Sequence, residues 1–189
     1  MGRLSECFHR SSVSGVAAAA AAVILLVNGP AKAQRPPSPS VEAQREAMRK
    51  FDFLVGHWSG PVTVVRGPGD PLRLTQTEDV QFKLDGLVLL IEGKSTGADG
   101  KGQFEALATI AYDDNGAQYR IRAYNDGRYL DSELTLLADG FSWGFQGGPA
   151  HVINTMRLTP QGQWQETTEV SMGSSPPRRS VDMLLDRKK

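Results

Sequence analysis

From residue 57 to residue 187, apolar and polar residues alternate along short segments of the chain. Successive side chains of a β-strand point to opposite faces of the sheet, so this period of two predicts strands with one buried face. The residues that fall on the predicted buried face include Val80, Phe82, Leu84, Phe104, Ala106, Ala108, Ile110, Tyr112, Phe141, Trp143, Phe145, Val181, Met183 and Leu185. The pattern therefore predicts a sheet with one apolar face and one wet face.

Clusters of Gly, Asn, Asp and Pro, such as "DDNG" and "NDG", separate these segments and supply the residues that tight hairpins require. The segments between them predict strands at 57–66, 72–84, 87–96, 103–113, 117–125, 128–138, 140–146, 151–159, 163–172 and 180–187. Consecutive strands with no helix between them pair antiparallel, and closing the sheet removes its exposed edges. We therefore predict an all-β, ten-stranded, antiparallel up-and-down barrel, with an open sandwich as the alternative.

One helix is predicted immediately before the first strand, in "VEAQREAMRKFDFL" (41–54). Ser40 can cap it, and Glu42 lies in the first turn, near the positive end of the helix dipole. Val41, Met48 and Phe51 can share one apolar face. The helix therefore has a side with which to cover the barrel.

The N-terminus has the order of a secretory leader. Arg3 and Arg10 precede a weakly apolar run at 13–27, and "AKA" at 31–33 offers small residues for cleavage before Gln34. A transmembrane anchor is the alternative, but the run is shorter than the roughly 20 apolar residues that a spanning helix needs.

The chain is thus predicted to contain a signal peptide (1–33), a Pro/Ser linker (34–40) and a single barrel domain with its helix (41–189). The expected location is the bacterial periplasm or the medium, without membrane association after cleavage.

Removing the leader changes the composition of the protein. The whole chain has 21 basic and 21 acidic side chains; the leader holds Arg3, Arg10, Lys32 and Glu6, which leaves 18 basic and 20 acidic ones. This balance argues against nucleic acid as a partner. The single cysteine, Cys7, is also lost, so disulfides and thiolate chemistry are not expected in the mature protein.

"GHW" at 56–58 matches the G-x-W that opens the first strand of lipocalins and their relatives. The longer string "FDFLVGHWSG" resembles the start of a family of secreted bacterial lipocalin-like (calycin-type) domains. It is also similar to the G-x-W-x-G-x-G of ten-stranded nitrobindin-type haem barrels, although Val62 replaces the third glycine. The resemblance implies a barrel closed at one end by Trp58, beneath the N-terminal helix.

The two histidines of the mature chain are the candidates for metal or haem chemistry. Alternation places His57 opposite Trp58, toward solvent or the helix, whereas His151 follows "GGP" at a predicted barrel mouth. Similarity to the haem barrels, whose axial histidine comes late in the chain, makes His151 the possible haem or metal ligand; an exposed imidazole is the alternative. The sequence has no C-x-x-C-H for covalent haem.

Motifs for enzymatic catalysis are not found. The sequence has no G-x-S-x-G, "GADGKG" lacks the spacing of a phosphate loop, and "DDNG" is explained by a turn. In "RIRAYNDGRY", Arg120 and Arg122 either face solvent or line the cavity for an anionic ligand.

We therefore predict a protein that is not an enzyme, has no cofactor, and binds a small, mainly apolar molecule inside the barrel. The predicted lining is Trp58, Phe82, Phe104, Tyr112, Phe141, Trp143 and Phe145. The alternatives are a haem barrel with His151 as its single ligand, and a filled barrel without ligand that serves as a structural or assembly module. The sequence leaves the oligomeric state open, with a homodimer as one option.

Overall fold

The computed structural model describes residues 40–189. Helix α1 spans Val41–Met48 and continues into a 3₁₀-helix, Arg49–Leu54. Ten strands follow: β1 Gly56–Val64, β2 Leu72–Lys83, β3 Val88–Thr96, β4 Gly102–Asp113, β5 Gln118–Asn125, β6 Arg128–Leu137, β7 Gly140–Gly147, β8 Ala150–Leu158, β9 Trp164–Met172 and β10 Arg178–Lys188. The predicted leader, and the predicted linker up to residue 39, lie outside the described residues.

Each strand pairs antiparallel with its neighbours in sequence, and β1 also pairs with β10, which closes the barrel. The prediction of an all-β, ten-stranded, up-and-down barrel with one preceding helix is confirmed, and the open sandwich is wrong. Closure gives each of the ten strands two partners, so no strand within residues 40–189 presents an unpaired edge. Within residues 40–189, neither helical segment has the length and apolar character required to span a bilayer.

The helix covers one end of the barrel. Ser40 accepts a hydrogen bond from the Ala43 N–H at 3.2 Å, as expected for an N-cap, and α1 gives way to the tighter 3₁₀-helix after Met48. Met48, Phe51 and Leu54 have no exposed surface. The Tyr119 hydroxyl donates to the Ala47 carbonyl at 2.9 Å, which ties the helix to β5.

Strand register fixes which side chains face the interior. Trp58 lies opposite Glu78 on β2, and Glu78 lies opposite Gly93 on β3, so all three belong to one inward row. The predicted inward faces of β4, β7 and β10 agree with this register. The prediction for Leu84 is wrong: β2 ends at Lys83, and Leu84 lies in the following turn with a φ of 50° and 72% exposure.

The two ends of the barrel interior differ. We call the end covered by α1 the helix end, and the opposite end, with the β1–β2 and β9–β10 connections, the mouth. Leu89, Ile110 and Leu185, near the helix end, are 0% exposed. Toward the mouth, inward side chains of β4, β5 and β7–β10 keep partial exposure: Ala106, Ala123, Trp143, Phe145, Val152, Thr168, Val170 and Val181. The packed core therefore fills the helix end and leaves part of the mouth side accessible.

Candidate functional site in the barrel interior

The helix end of the barrel has a floor built around Trp58. Its indole N–H donates to the Leu54 carbonyl at 2.8 Å, and the Arg187 guanidinium lies over its ring, 4.1 Å from the centroid. Arg187 also donates to the carbonyls of Phe53 and Val55, which end the 3₁₀-helix. These bonds satisfy backbone groups that a helix end leaves without partners. Trp58 is 1% exposed, so we assign it a structural role in the floor rather than contact with a ligand.

The aromatic residues predicted to line a cavity divide between the two ends. Phe141 is buried in the core, and Phe82 and Tyr112 pack against that core. Trp143 and Phe145 stand on the inward face nearer the mouth, with ring centroids 6.2 Å apart and planes at 23°. Phe104 shares the inward parity but is 39% exposed at the mouth. Trp143, Phe145 and Phe104 are therefore the members of the predicted set placed to touch a ligand entering from the mouth.

Two glutamates face the interior between these ends. Glu78 belongs to the inward row of β2, and Glu166 follows Trp164 along the inward face of β9. Trp164 packs edge-on against Trp58, with centroids 5.8 Å apart, and its indole N–H donates to Glu166 Oε2 at 3.1 Å. The tryptophan floor thus orients one of the two carboxyl groups.

Glu78 has its own hydrogen-bond support. Gln76 Nε2 donates to Glu78 Oε1 at 2.7 Å, and Ser95 Oγ donates to Gln76 Oε1. Gln76 and Ser95 are buried. A chain of three side chains on two adjacent strands therefore fixes the position of the Glu78 carboxyl.

Gly93 makes room for that carboxyl. A Cβ atom at this position would lie 2.7 Å from Glu78 Oε2 and 2.8 Å from Oε1. Real Cβ atoms do not approach oxygen so closely, so any larger residue would push the carboxyl away. The absence of a side chain on β3 is thus part of the glutamate site.

Burial changes the acidity of both glutamates, and the charge of Glu166 adds to the effect on Glu78. Desolvation, and the nearby Glu166 charge, raise the pKa of Glu78 to about 8, against a lowering by the Gln76 hydrogen bond. Desolvation raises the pKa of Glu166 to about 7, against a lowering by the Trp164 N–H. Near neutral pH the pair therefore holds protons that ordinary surface carboxylates have lost.

Some polar atoms of this site have no partner among residues 40–189. Glu78 Oε2 and Glu166 Oε1 make no hydrogen bond, and only one end of the Asn154 amide is engaged, by Thr168 Oγ1 at 2.7 Å. Yet within the same residues every side-chain N or O atom that is fully shut off from solvent has a partner. The free atoms of Glu78, Glu166 and Asn154 therefore border a space that a water-sized molecule reaches.

The two histidines lie outside this site. His57 Nδ1 is 3.1 Å from Asp79 Oδ2 on the outer surface, where the imidazole is 69% exposed. His151 is exposed and has the parity of Ile153, opposite to that of the inward Asn154. The barrel interior of residues 40–189 thus offers no histidine to ligate a haem. No group of three or more metal-binding side chains occurs within that range either.

The arginines of β5 also face outward. Arg120 and Arg122 both bind Asp131 on β6, the latter with Nε 2.7 Å from Oδ2. Asp131 has a lowered pKa because it accepts hydrogen bonds from both guanidinium groups. The arrangement is a surface ion-pair cluster, in agreement with the solvent-facing alternative from the sequence.

A groove of about 570 Å³ lies outside the barrel, between α1 and the β2–β3 turn. Arg45, which lines it, is bound by Glu42 at 2.9 Å and by Asp85 at 2.7 Å. These ion pairs dock the helix on the turn, so we assign the groove to the helix–barrel contact.

Glu78 and Glu166 were not predicted as site residues from the sequence, although the alternation of the strands already places both on inward faces. Counting back in twos from Phe82 and Val80 reaches Glu78, and counting forward from Trp164 reaches Glu166. An acidic residue in an inward position was the available signal.

Comparisons with known proteins identify a shared fold but do not assign the chain to a family. No family model matches the chain, and no curated protein matches it. Nineteen chains of known structure match, among them the crystal structure of Rv2717c from M. tuberculosis. That match has a TM-score of 0.59 and 10% sequence identity, and it covers 76% of this chain and 98% of the other. At such an identity the similarity shows a shared barrel fold alone.

Proposed function

We propose that this protein is an exported, non-enzymatic binding protein that holds a small, mainly apolar molecule in the mouth side of its barrel. The observation that carries the proposal is the contrast between the two ends of the interior. Leu89 and Ile110 are sealed at the helix end, whereas Trp143 and Phe145 keep accessible surface on the inward face. Wide barrels use such a space to hold a single small ligand.

The aromatic side chains would supply most of the binding free energy. Burying apolar ligand surface against Trp143 and Phe145 contributes roughly 25 cal/mol per Å². Small residues limit the filling of the interior, since Ala106 and Ala108 occupy inward positions of β4. The polar groups deeper in the barrel would then set the orientation of the ligand.

The neutral fluorescent probe N-phenyl-1-naphthylamine tests this proposal. We expect its fluorescence to rise on binding to the wild-type protein, and Ala106→Phe to abolish the rise because the new ring fills the inward space. Ala111→Phe is the matched control: it adds the same ring to β4 at a position with outward parity. Equal binding by both variants would place the probe outside the barrel and contradict the proposal. Circular dichroism verifies that each variant is folded.

A further inference from the structure

We propose that the ligand carries a protonated amine, which binds between the carboxyl groups of Glu78 and Glu166 while its apolar body lies toward Trp143. This inference rests on the proposed function and names the chemical class of the ligand. It follows from the free oxygens of the two glutamates, from the unpaired end of a buried amide, and from the charges of the interior.

The first step concerns the oxygens. Each carboxyl has one oxygen held by the protein, by Gln76 for Glu78 and by Trp164 for Glu166. The second oxygen of each has no partner within residues 40–189 and borders accessible space. Both acceptors have inward parity in the same barrel, and such a pair suits a group with several N–H donors, of which an ammonium has three.

The second observation is Asn154, whose side chain is only 7% exposed. One end of its amide contacts Thr168, and the other end has no partner among the described residues. Register places Asn154 diagonally across from Glu166, since Thr168 and Met156 are their direct partners. A buried amide left half-bonded costs free energy unless a ligand or water completes it. It can therefore hydrogen-bond a polar atom beside the amine.

The third step concerns charge. Two carboxylates in a desolvated interior repel each other, and a single cation between them removes both the repulsion and part of the desolvation cost. Among residues 40–189, no Lys or Arg with inward parity lies at this level of the interior. Arg187 is the inward arginine at the helix end and is occupied by Trp58 and two backbone carbonyls. Arg178 and Arg128 have inward parity but lie at the mouth and are exposed.

An aromatic ring across from Asn154 favours the same class of ligand. Trp143 lies opposite Asn154 in the β7–β8 register, on the inward face. A cation near an indole ring gains a further electrostatic attraction, and an arylalkyl body gains apolar contact. The interior therefore fits a small amine with an aromatic or alkyl body.

Proton linkage gives the proposal a distinctive signature. Among the described residues, the polar side chains placed around the pair by register and hydrogen bonding are those of Gln76, Ser95, Asn154, Thr168 and Trp164, all neutral, so the protons displaced by a cation come from the glutamates. Their raised pKa values, about 8 and about 7, mean that an amine must expel protons when it binds near pH 6. Affinity should then rise up to about tenfold per pH unit for each proton released, and level off above pH 8.

Isothermal titration calorimetry of the mature protein tests this with benzylamine, phenethylamine and tryptamine, each beside its neutral analogue: benzyl alcohol, 2-phenylethanol and tryptophol. We expect at least one amine to bind about tenfold or more tightly than its alcohol at pH 8, and at least tenfold more weakly at pH 6 than at pH 8. Alcohols that bind as tightly as amines would overturn the amine inference and leave the proposed function standing. Failure of all six compounds would overturn the amine inference, and the titration with N-phenyl-1-naphthylamine then decides the proposed function separately.

Variants assign the effect to the glutamates. Glu78→Gln and Glu166→Gln should each weaken amine binding about tenfold or more and leave alcohol binding unchanged. Glu169→Gln is the matched control, since Glu169 lies on β9 with outward parity. Unchanged amine affinity in both interior variants would overturn the inference. The pH dependence of the unmodified protein stands as an independent readout if a variant fails to fold.

Discussion

Arg187, near the end of the last strand, covers the indole of Trp58, near the start of the first, with its guanidinium carbon 4.1 Å from the ring centroid. The same guanidinium binds the carbonyls of Phe53 and Val55. One side chain thus joins the 3₁₀-helix, the first strand and the last strand. It combines a cation–π contact with charge-assisted hydrogen bonds. Such hydrogen bonds are stronger than those between neutral groups.

Arg187→Ala should therefore lower the free energy of unfolding by about 2–4 kcal/mol, because it removes the cation–π contact and two hydrogen bonds to backbone. Urea unfolding followed by tryptophan fluorescence measures the change. Arg179→Ala, which removes an exposed pair with Asp182 on the same strand, is the control and should cost less than about 1 kcal/mol. Equal losses for the two variants would show that the Trp58 contact is not special.

Gly56→Ala tests the glycine of the G-x-W. Gly56 has a φ of 129°, and a Cβ there would lie 2.9 Å from Arg187 Nη1. We expect a loss of at least about 1 kcal/mol in unfolding free energy from backbone strain and displacement of the guanidinium. Gly102→Ala is the control, because a Cβ at Gly102 meets open space. A near-zero effect at Gly56 would mean that the strand start relaxes freely.

The unfolding free energy should fall as pH rises from about 5 to 8. Both interior glutamates have raised pKa values when folded, so the folded state holds more protons than the unfolded state in this window. The stabilisation is fully present below the unfolded value of about 4.5 and is lost as pH rises through the folded values. Urea midpoints measured across this range check the slope. The double variant Glu78→Gln with Glu166→Gln should flatten it, and an unaltered slope would contradict the assignment.

Gly93→Ala should leave the barrel folded and disturb the glutamate site. The atoms that the new methyl meets belong to the ends of the Glu78 and Gln76 side chains, which can move, rather than to backbone. We expect amine affinity to drop severalfold or more and the carboxyl ¹³C titration of Glu78 to shift toward its ordinary range. Gly147→Ala, whose Cβ would make an ordinary 3.8 Å contact with Phe145, should change neither. Wild-type titration in Gly93→Ala would be the contrary result.

Export of the full chain should produce a mature protein that begins at Gln34. "AKA" at 31–33 supplies the small residues that a signal peptidase recognises. Intact-mass measurement of periplasmic protein after expression in a bacterium identifies the N-terminus. An Ala33→Asp variant should accumulate uncleaved, while Ala31→Ser should be processed. A wild-type chain recovered with residues 1–33 would contradict the prediction.

Alternation and turn chemistry predicted the strands because both are local properties of the chain. The faces of β4 and β7 follow from the spacing of Phe104 to Tyr112 and of Phe141 to Phe145. Leu84 was assigned to the inward face wrongly. It continues the apolar alternation of β2, but the strand has already ended and Leu84 lies in the turn.

The interior site could not be predicted to the same extent. A search for alternating apolar residues passes over Glu78 and Glu166 because they are charged. Their inward parity is nevertheless as regular as that of Val80 or Trp164. Their proximity depends on barrel closure, which brings β2 and β9 around to a shared interior through β1 and β10. The support of Glu78 by Gly93 also depends on the β2–β3 register, which no motif encodes.

Closure of β1 onto β10 has a consequence for the order of assembly. His57 pairs with Lys188 and Val64 with Val181, so the first strand finds one of its two partners only in β10, the last strand. Nine hairpins can form from local contacts, but the pairing of β1 with β10 requires the whole barrel sequence, and such long-range pairing slows folding. The barrel is therefore expected to close last, between its first and last strands, after the other strand pairings are available.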